Sequence, residues 1–308
     1  MKYLVTGGAG FIGSNITKEL LRRGEEVRIL DNFATGKREN VVEFFNDPRF
    51  ELVEGDIRSF HIVREAVRGI DYILHQGALP SVPRSVRDPI TSNEVNINGT
   101  LNVLEAAKEY GVKRVVYASS SSVYGNSAIL PKVEDMAVMP LSPYALSKYT
   151  AERYCQLYTR LYGLETVCLR YFNVFGPNQD PSSQYSAVIP RFIKMMKEGK
   201  RPVIYGDGMT SRDFTYVENN VEANLLACTA PDVAGEVFNI ACGKRYTLLD
   251  LVNAINKSLE TSIEPLFDRE RSGDVKHSLA SIDKAIDNLG YQVVREFQQG
   301  LELLIAQL

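Results

Sequence analysis

Short apolar runs alternate with helically spaced apolar positions over the first two-thirds of the chain. The runs Lys2–Thr6 and Glu26–Leu30 predict buried strands, and Ile12–Arg23 between them predicts an amphipathic helix that Gly24 ends. Further strands are predicted at Arg49–Glu54, Tyr72–Gln76, Val115–Ala118 and Thr166–Tyr171. Further helices are predicted at His61–Val67, Asn93–Tyr110 and Tyr144–Tyr162. This repeated β-α-β order predicts the α/β class, with a doubly wound parallel sheet.

The pattern changes after Asn173. Phe175–Tyr185 is rich in Gly, Pro, Asn, Asp and Ser, which predicts a loop. Beyond it, helices and one strand are predicted at Val188–Glu198, Tyr216–Thr229, Val237–Ala241 (the strand) and Leu248–Leu259.

The chain has 308 residues, which is too long for one compact core of ordinary size. We therefore predict a larger α/β domain and a smaller, mixed α/β C-terminal domain. Their residues are 1–173 plus about 214–241 for the larger, and about 174–213 plus 242–308 for the smaller.

Composition narrows the class of protein. A formal net charge of −3 argues against a general polyanion binder, so we expect no nucleic-acid partner. No apolar run is long enough to span a bilayer, and no signal peptide precedes the first strand, so no membrane partner is expected. The four cysteines and three histidines are scattered without metal-ligand spacing, which predicts no metal site, no disulfides and a cytoplasmic location.

A glycine-rich loop follows the first strand and opens the first helix. Its glycines are Gly7, Gly10 and Gly13. Such a loop lets a pyrophosphate approach backbone N–H groups at the positive end of a helix. Asp31 ends the second strand, and its carboxylate suits a ribose 2′-hydroxyl and repels a 2′-phosphate. NAD is therefore favoured over NADP, although Lys37 and Arg38 keep the phosphorylated form open.

A Tyr-x-x-x-Lys motif stands at a predicted helix start. Ser142 and Pro143 are typical of a helix N-cap and first turn, and Tyr144 and Lys148 then share one helix face. A free tyrosine is a poor base near neutral pH, but an ammonium and a nicotinamide cation nearby would favour its phenolate. This makes Tyr144 a candidate general acid/base, whereas an exposed helical pair is the plain alternative.

Serines 119 to 122 follow a predicted strand. In parallel sheets the carboxyl ends of strands face the ligand, so a hydroxyl there can bind a substrate oxygen. The alternative is that the four serines simply form a polar surface loop, which has the same composition.

Together these motifs resemble the extended short-chain dehydrogenases/reductases of the NAD-dependent epimerase/dehydratase family. Within it the chain most resembles the UDP-hexose 4-epimerases, and among those the enzymes acting on UDP-N-acetylglucosamine. The resemblance covers nearly the whole chain and is carried by Thr6–Gly13, Asp31, Gly55–Ile57, His75–Ala78, Asn98–Thr100, the serine run, Tyr144, Lys148, Leu169–Pro177, Ser211–Phe214 and Arg271–Val275.

The resemblance implies a Rossmann domain that holds NAD. The implied cofactor residues are Gly7, Gly10, Phe11, Ile12, Gly13, Asp31, Asn32, Gly36, Asp56, Ile57, Gln76, Gly77, Ala78, Asn98, Tyr144 and Lys148. The implied catalytic residues are Ser120, Tyr144 and Lys148, with Ser121 as the competing assignment for the serine.

The resemblance also implies a nucleotide-sugar site. Its residues are Ser81, Ser120, Ser122, Tyr144, Asn173, Arg212, Arg271, Asp274 and Ser278. Arginine suits a pyrophosphate because its planar fork makes bidentate bonds, although Arg212 and Arg271 could equally be surface ion pairs. Ser278 occupies the position that gates the sugar C2 substituent in the family, where a small residue leaves room for an N-acetyl group and a tyrosine does not.

The implied reaction inverts C4 of a UDP-sugar through a 4-keto intermediate while NAD stays bound. The alternatives are a UDP-glucuronate 4-epimerase or decarboxylase, a 4,6-dehydratase disfavoured by Ser121 and Ser122 where an Asp-Glu pair is expected, and a non-catalytic NAD-binding protein. The resemblance also implies a homodimer built on the helices Asn93–Tyr110 and Tyr144–Tyr162.

Overall fold

A computed structural model describes residues 1–180, 188–269 and 276–308. Its strands are β1 (Lys2–Thr6), β2 (Glu26–Asp31), β3 (Phe50–Glu54), β4 (Tyr72–His75), β5 (Arg114–Ser120), β6 (Glu165–Tyr171), β7 (Val174–Phe175), β8 (Val203–Tyr205), β9 (Ser211–Arg212), β10 (Thr215–Tyr216), β11 (Val237–Ile240), β12 (Tyr246–Thr247) and β13 (Leu266–Asp268). Its helices are α1 (Phe11–Arg22), α2 (Phe60–Val67), α3 (Val82–Arg87), α4 (Pro89–Asn93), α5 (Gly99–Glu109), α6 (Pro143–Tyr162), α7 (Val188–Lys197), α8 (Val217–Thr229), α9 (Leu248–Leu259), α10 (Asp283–Leu289) and α11 (Phe297–Gln307).

The central sheet has seven strands in the order β3-β2-β1-β4-β5-β6-β11, and every neighbouring pair is parallel. The strand order reverses between β1 and β4, which leaves a crevice at their carboxyl ends. The predicted doubly wound α/β fold is therefore confirmed.

Both faces of the sheet are buried, which explains the continuous apolar runs. Successive residues on a strand point to opposite faces, so Leu4 and Val5 belong to two different hydrophobic clusters. Helix α1 packs against α8, whereas α2, α5 and α6 form a second group in which α5 contacts both of the others. Two layers of helices thus cover the sheet.

Helix α6 has the ends that its sequence predicts. The Ser142 hydroxyl accepts a hydrogen bond from the Ala145 N–H at 3.1 Å, and Pro143 occupies the first turn. Gly163 ends the helix in the left-handed conformation, with φ +69°. These local signals fix where Tyr144 and Lys148 lie.

The predicted helix over Asn93–Tyr110 is helical through Glu109, but the helical segment begins earlier, at Pro89, and contains a π-helical turn. The structure has α4, then a π-helical turn over Glu94–Asn98, then α5. The wide turn brings the Asn96 side chain inward, where its Nδ2 donates to the Ser147 hydroxyl at 3.0 Å. The short helix α3 before it was not predicted, because so few residues give little periodicity.

The remaining elements form three two-stranded pairs. These are β7 with β10, β8 with β13 and β9 with β12, and α9 packs on both α7 and α11. One hydrophobic cluster continues from Leu169 in the sheet through Phe175 to Leu251 and Phe297. This core runs across the predicted domain boundary. The division into two domains stays a prediction.

The loop predicted over Phe175–Tyr185 begins one residue later than predicted, since Phe175 belongs to β7. Gly176 and Asn178 have φ of 155° and 66°, which are conformations typical of turns. Residues 181–187 lie outside the described part of the chain.

Among the helices of the described ranges, none is long and apolar enough to cross a membrane. The same ranges contain no group of three or more His, Cys, Asp or Glu side chains that could hold a metal ion.

Candidate active site

A cleft of about 350 Å³ lies at the crevice between β1 and β4. Most of the predicted cofactor residues line it, namely Gly7, Gly10, Phe11, Ile12, Gly13, Asp31, Asn32, Asp56, Ile57, Gln76, Gly77, Ala78, Tyr144 and Lys148. The cleft therefore connects the glycine loop with the Tyr144 side chain. Its position is the one at which doubly wound sheets bind ligands.

The glycine loop has no room for side chains. Gly7 has φ +67°, and a Cβ there would lie 2.9 Å from the Gly77 Cα atom. A Cβ on Gly13 would lie 2.1 Å from the Gly7 carbonyl oxygen. Gly10 caps α1 without a side-chain hydrogen bond, so backbone alone forms this helix end. The loop therefore fits a pyrophosphate at the positive end of α1.

Asp31 lines the cleft at the end of β2. Its carboxylate accepts hydrogen bonds from the N–H groups of Ala9 (2.9 Å) and Phe33 (2.8 Å). Burial raises its pKa, and these two hydrogen bonds oppose the rise. Gly36 lies against it, where a Cβ would stand 3.0 Å from both carboxylate oxygens. This acidic wall suits ribose hydroxyls and disfavours a 2′-phosphate.

The neighbouring basic residues have other partners. Lys37 forms an ion pair with Asp180 at 3.4 Å, and Arg38 forms one with Glu54. Asn32 also lies here, where its Nδ2 donates to Asp56 Oδ2 at 2.8 Å. The observed pairing favours unphosphorylated NAD in this cleft.

Tyr144 and Lys148 lie on one face of α6, next to the end of β5. Lys148 Nζ donates to the Ala118 carbonyl at 2.8 Å, and Ser120 at the end of β5 is near enough to Tyr144 to influence its pKa. Lys148 is buried, whereas Tyr144 keeps part of its surface open to the cleft. Desolvation raises the pKa of Tyr144 and lowers that of Lys148 to about 8. The neighbouring Ser120 side chain opposes this rise in the pKa of Tyr144.

The expected lowering of the Tyr144 pKa is absent from the protein alone. Desolvation is the dominant influence on its phenol, and the Lys148 ammonium is bonded to the Ala118 carbonyl. A cation bound in the cleft would add the missing attraction for the phenolate. The protein thus supplies part of the electrostatics and leaves part to its cofactor.

Ser120 ends β5 and caps the short turn that follows. Its Oγ accepts hydrogen bonds from the Ser122 N–H (3.2 Å) and the Ser122 hydroxyl (2.9 Å). Ser120 and Ser122 are thus hydrogen-bonded to each other at the end of β5, next to Ala118 and Ser119, which line the cleft.

Three predicted substrate residues meet where the chain leaves β6. Asn173, at φ +34°, donates from Nδ2 to the Asp213 carbonyl at 3.1 Å and to the Ser278 hydroxyl at 3.4 Å. Arg212, beside Asp213, donates to the Ser211 carbonyl at 2.9 Å. The Asp213 carboxylate accepts three backbone N–H bonds, which fixes the chain around Ser278; the donors are Cys242, Gly243 and Ala280.

The remaining predicted residues are placed differently. Ser81 has φ +97° and caps α3 by accepting from the Arg84 N–H at 3.3 Å. Asn98 is exposed and is not brought into the cleft, because the π-helical turn directs Asn96 inward instead. Arg271 and Asp274 lie outside the described residues.

Sequence reasoning missed a polar network beside the cleft. Tyr171, which lines the cleft, donates to Gln76 Oε1 at 3.2 Å and accepts from Asn224 Nδ2 at 2.6 Å. His75 is buried between the hydroxyls of Thr6 (2.6 Å) and Thr100 (2.9 Å), and burial lowers its pKa to about 3. The strand-end positions of His75 and Tyr171 were the available signal.

We expect Lys148→Met to shift the pH dependence of catalysis. Removing the ammonium removes an attraction for the Tyr144 phenolate, so the pKa of Tyr144 rises. The pH profile of kcat/KM should therefore move to higher pH by about one unit or more. Lys113→Met, which changes a lysine at the opposite end of β5, is the control and should leave the profile in place. Superimposed profiles for Lys148→Met and the unaltered protein would contradict this role.

Comparison with known proteins agrees with this site. Residues 3–241 match the model of the NAD dependent epimerase/dehydratase family. A putative UDP-glucose 4-epimerase of Methanocaldococcus jannaschii is 38% identical over 304 residues, which cover 98% of this chain and 96% of that protein.

Two solved structures have the same fold. The UDP-N-acetylglucosamine 4-epimerase of Methanobrevibacter ruminantium M1, in complex with UDP-N-acetylmuramic acid, matches with a TM-score of 0.94 and 40% identity over 99% of this chain and 97% of that one. The UDP-glucose 4-epimerase of Thermus thermophilus, in complex with NAD, matches with a TM-score of 0.89 and 37% identity over 99% and 98%. The fold and cleft define a dinucleotide-binding protein of the short-chain dehydrogenase type. The chain belongs to the NAD-dependent epimerase/dehydratase family, and its cofactor is NAD.

Proposed function

We propose that this protein is a UDP-sugar 4-epimerase that interconverts UDP-N-acetylglucosamine with UDP-N-acetylgalactosamine, and UDP-glucose with UDP-galactose. The observation that carries the proposal is that Tyr144 and Lys148 lie together in the NAD cleft, next to the end of β5 that carries Ser120. The names of the relatives support the reaction, since UDP-glucose and UDP-N-acetylglucosamine 4-epimerases are both among them.

The chain's own residues perform the proton chemistry. When bound between the glycine loop and Tyr144, NAD would supply the reversible hydride chemistry at the sugar C4. Tyr144 removes the proton of the 4-hydroxyl and later restores it, while Ser120 donates a hydrogen bond that orients the sugar oxygen. Lys148 keeps a positive charge near the phenol below its pKa of about 8.

The UDP end must stay fixed while the sugar turns. Asn173 and Arg212 lie beside each other next to the segment that leads to Ser278, which suits a clamp on the nucleotide. Arg271 and Asp274 complete the proposed substrate set by family resemblance alone. Inversion requires the hexose to present its other face, so a clamp remote from C4 leaves it the freedom to rotate.

Ser278 is the proposed determinant of sugar choice, with Ser81 and Ser122 as further sugar contacts. The Ser278 hydroxyl lies at hydrogen-bond distance from Asn173, so its side chain borders the proposed substrate site. A serine leaves volume for an N-acetyl group that an aromatic ring would fill.

We expect Ser278→Tyr to remove N-acetylated substrates selectively. The ring fills the space of the acetyl group, so the rate on UDP-N-acetylglucosamine should fall at least about tenfold more than the rate on UDP-glucose. The measurement is kcat/KM on both substrates for both proteins, with UDP-glucose as the internal control. An unchanged ratio would remove Ser278 from the specificity assignment.

The test of the function is product analysis with UDP-N-acetylglucosamine, UDP-glucose and UDP-glucuronate supplied separately. We expect inversion at C4 of the first two. Inversion or decarboxylation of UDP-glucuronate alone would instead assign the chain to a UDP-glucuronate 4-epimerase or decarboxylase. A protein that retains NAD but converts none of the three would be a non-catalytic NAD-binding protein.

We also propose a homodimer formed through α5 and α6. These helices pack against each other beside the sheet, and α6 exposes Leu161 and Tyr162 near its end. The solution mass of the purified protein, measured by light scattering, tests this state directly.

A further inference from the structure

Three side chains from successive turns of helix α6 lie next to the end of β5. Tyr144, Lys148 and Glu152 recur at every fourth residue, so they share one face of the helix. Lys148 donates to the Ala118 carbonyl and Glu152 accepts from Ser119, while Ser120 is near enough to Tyr144 to lower its pKa. Two consecutive residues of the strand, Ala118 and Ser119, are thus held by two successive turns of the helix.

The hydrogen bond between Ser119 and Glu152 involves two side chains that have no part in the proposed reaction. The Ser119 hydroxyl donates to Glu152 Oε2 at 2.8 Å, and both side chains are buried. The carboxylate is itself held by Arg170, whose Nη2 donates to Oε1 at 2.6 Å and whose Nε donates to Oε2 at 3.0 Å. A buried bidentate pair of this kind has little freedom to move.

The ion pair is in turn anchored to the rest of the fold. Arg170 Nη1 donates to the Tyr124 hydroxyl at 2.8 Å, and that hydroxyl donates to Asn239 Oδ1 at 2.7 Å. Tyr124 belongs to the turn that follows Ser120, and Asn239 belongs to the edge strand β11. This network therefore fixes the Glu152 carboxylate relative to the turn that follows the serine run and relative to strand β11.

We propose that Ser119 and Glu152 are positioning residues, in which the carboxylate holds Ser119 and thereby keeps the adjoining Ser120 side chain next to Tyr144. The inference rests on the proposed function only for the meaning of Ser120, because the contacts themselves belong to the protein. Without the bond to Glu152, the end of β5 keeps its ladder to β6 but loses the side-chain anchor next to Ser120.

The test is a difference titration of Tyr144 in the NAD-bound protein. Tyrosinate absorbance is measured against pH for each variant and for its Tyr144→Phe counterpart, and their difference is the titration of Tyr144. Ser119→Ala should move this titration to higher pH by about half to one unit, because Ser120, which lowers the pKa of Tyr144, is then held less firmly beside it. The kcat should fall about tenfold with KM little changed.

A double-variant comparison shows whether Ser119 acts through Ser120. Ser120→Ala should shift the titration in the same direction, and Ser119→Ala combined with Ser120→Ala should shift it no further. Thr159→Val is the matched control, since it removes a partly buried hydroxyl, bonded to the Leu164 carbonyl at 2.8 Å, at the far end of α6. It should lower stability without moving the titration.

A second variant tests the acceptor. Glu152→Met combined with Arg170→Met removes both buried charges together, so neither is left unpaired. It should reproduce the shift of Ser119→Ala. An unmoved Tyr144 titration in Ser119→Ala, or additive shifts with Ser120→Ala, would overturn the inference. Absence of turnover in the unaltered protein would sink the proposed function instead, and the titration would still decide the positioning role.

Discussion

Tyr144→Phe is expected to abolish epimerisation while leaving NAD bound. The change removes one hydroxyl from a ring that lines the cleft, so the cleft keeps its shape and its glycine loop. The sugar 4-hydroxyl then has no group to take its proton, and a positioned general acid/base is worth about 100- to 10,000-fold in rate. The measurement is kcat on UDP-glucose together with the amount of NAD that remains with the purified protein.

Tyr154→Phe is the matched control for that variant. Tyr154 lies on the same helix and packs against the hydrophobic cluster that includes Val103 and Leu104 of α5, and it does not line the cleft. It should retain full activity and full NAD. Substantial activity in Tyr144→Phe would reassign the acid/base role to another residue of the cleft.

Gly13→Ala is expected to eliminate tight retention of NAD. Its methyl group would stand 2.1 Å from the Gly7 carbonyl oxygen, so the loop and the start of α1 must separate. Forcing an extra carbon into a packed site costs about 1–3 kcal/mol, which corresponds to roughly 5- to 150-fold in NAD affinity if it falls on the bound state. The measurements are the NAD content of the purified protein and the Kd for added NAD.

Gly111→Ala separates this effect from ordinary destabilisation. Gly111 has φ +66°, and a Cβ there meets no atom within 4 Å, so the substitution strains the backbone without crowding any neighbour. The control should lower Tm while keeping NAD. If Gly13→Ala retained NAD as fully as the unaltered protein, the glycine loop would not be the pyrophosphate site.

Local signals explain how much of the fold the sequence predicts. The strand Lys2–Thr6 and the helix Leu248–Leu259 have their predicted bounds, since each has a strong apolar pattern and the helix has a capping box between Thr247 and Asp250. The strands β8, β9, β12 and β13 were not predicted, because two or three residues carry no period. Their pairing depends on partners remote in sequence.

The candidate site shows the same limit. The glycine loop, Asp31, Tyr144 and Lys148 were predicted and lie in one cleft, because each belongs to a motif with local structural meaning. Asn98 was assigned to the cofactor where the π-helical turn leaves it exposed, and one-dimensional spacing does not reveal such a turn. The contacts of Glu152 with Ser119 and Arg170 join three separate elements, so only the fold reveals them.

The most direct test of the account follows a deuterium label placed at C4 of UDP-glucose, with purified protein and no added cofactor. If hydrogen leaves C4 and returns to it within one closed cleft, the UDP-galactose formed should retain the label at C4 in ordinary water. Loss of the label to solvent would contradict the account. So would a protein that forms no UDP-galactose from UDP-glucose and also fails to invert an N-acetylated substrate.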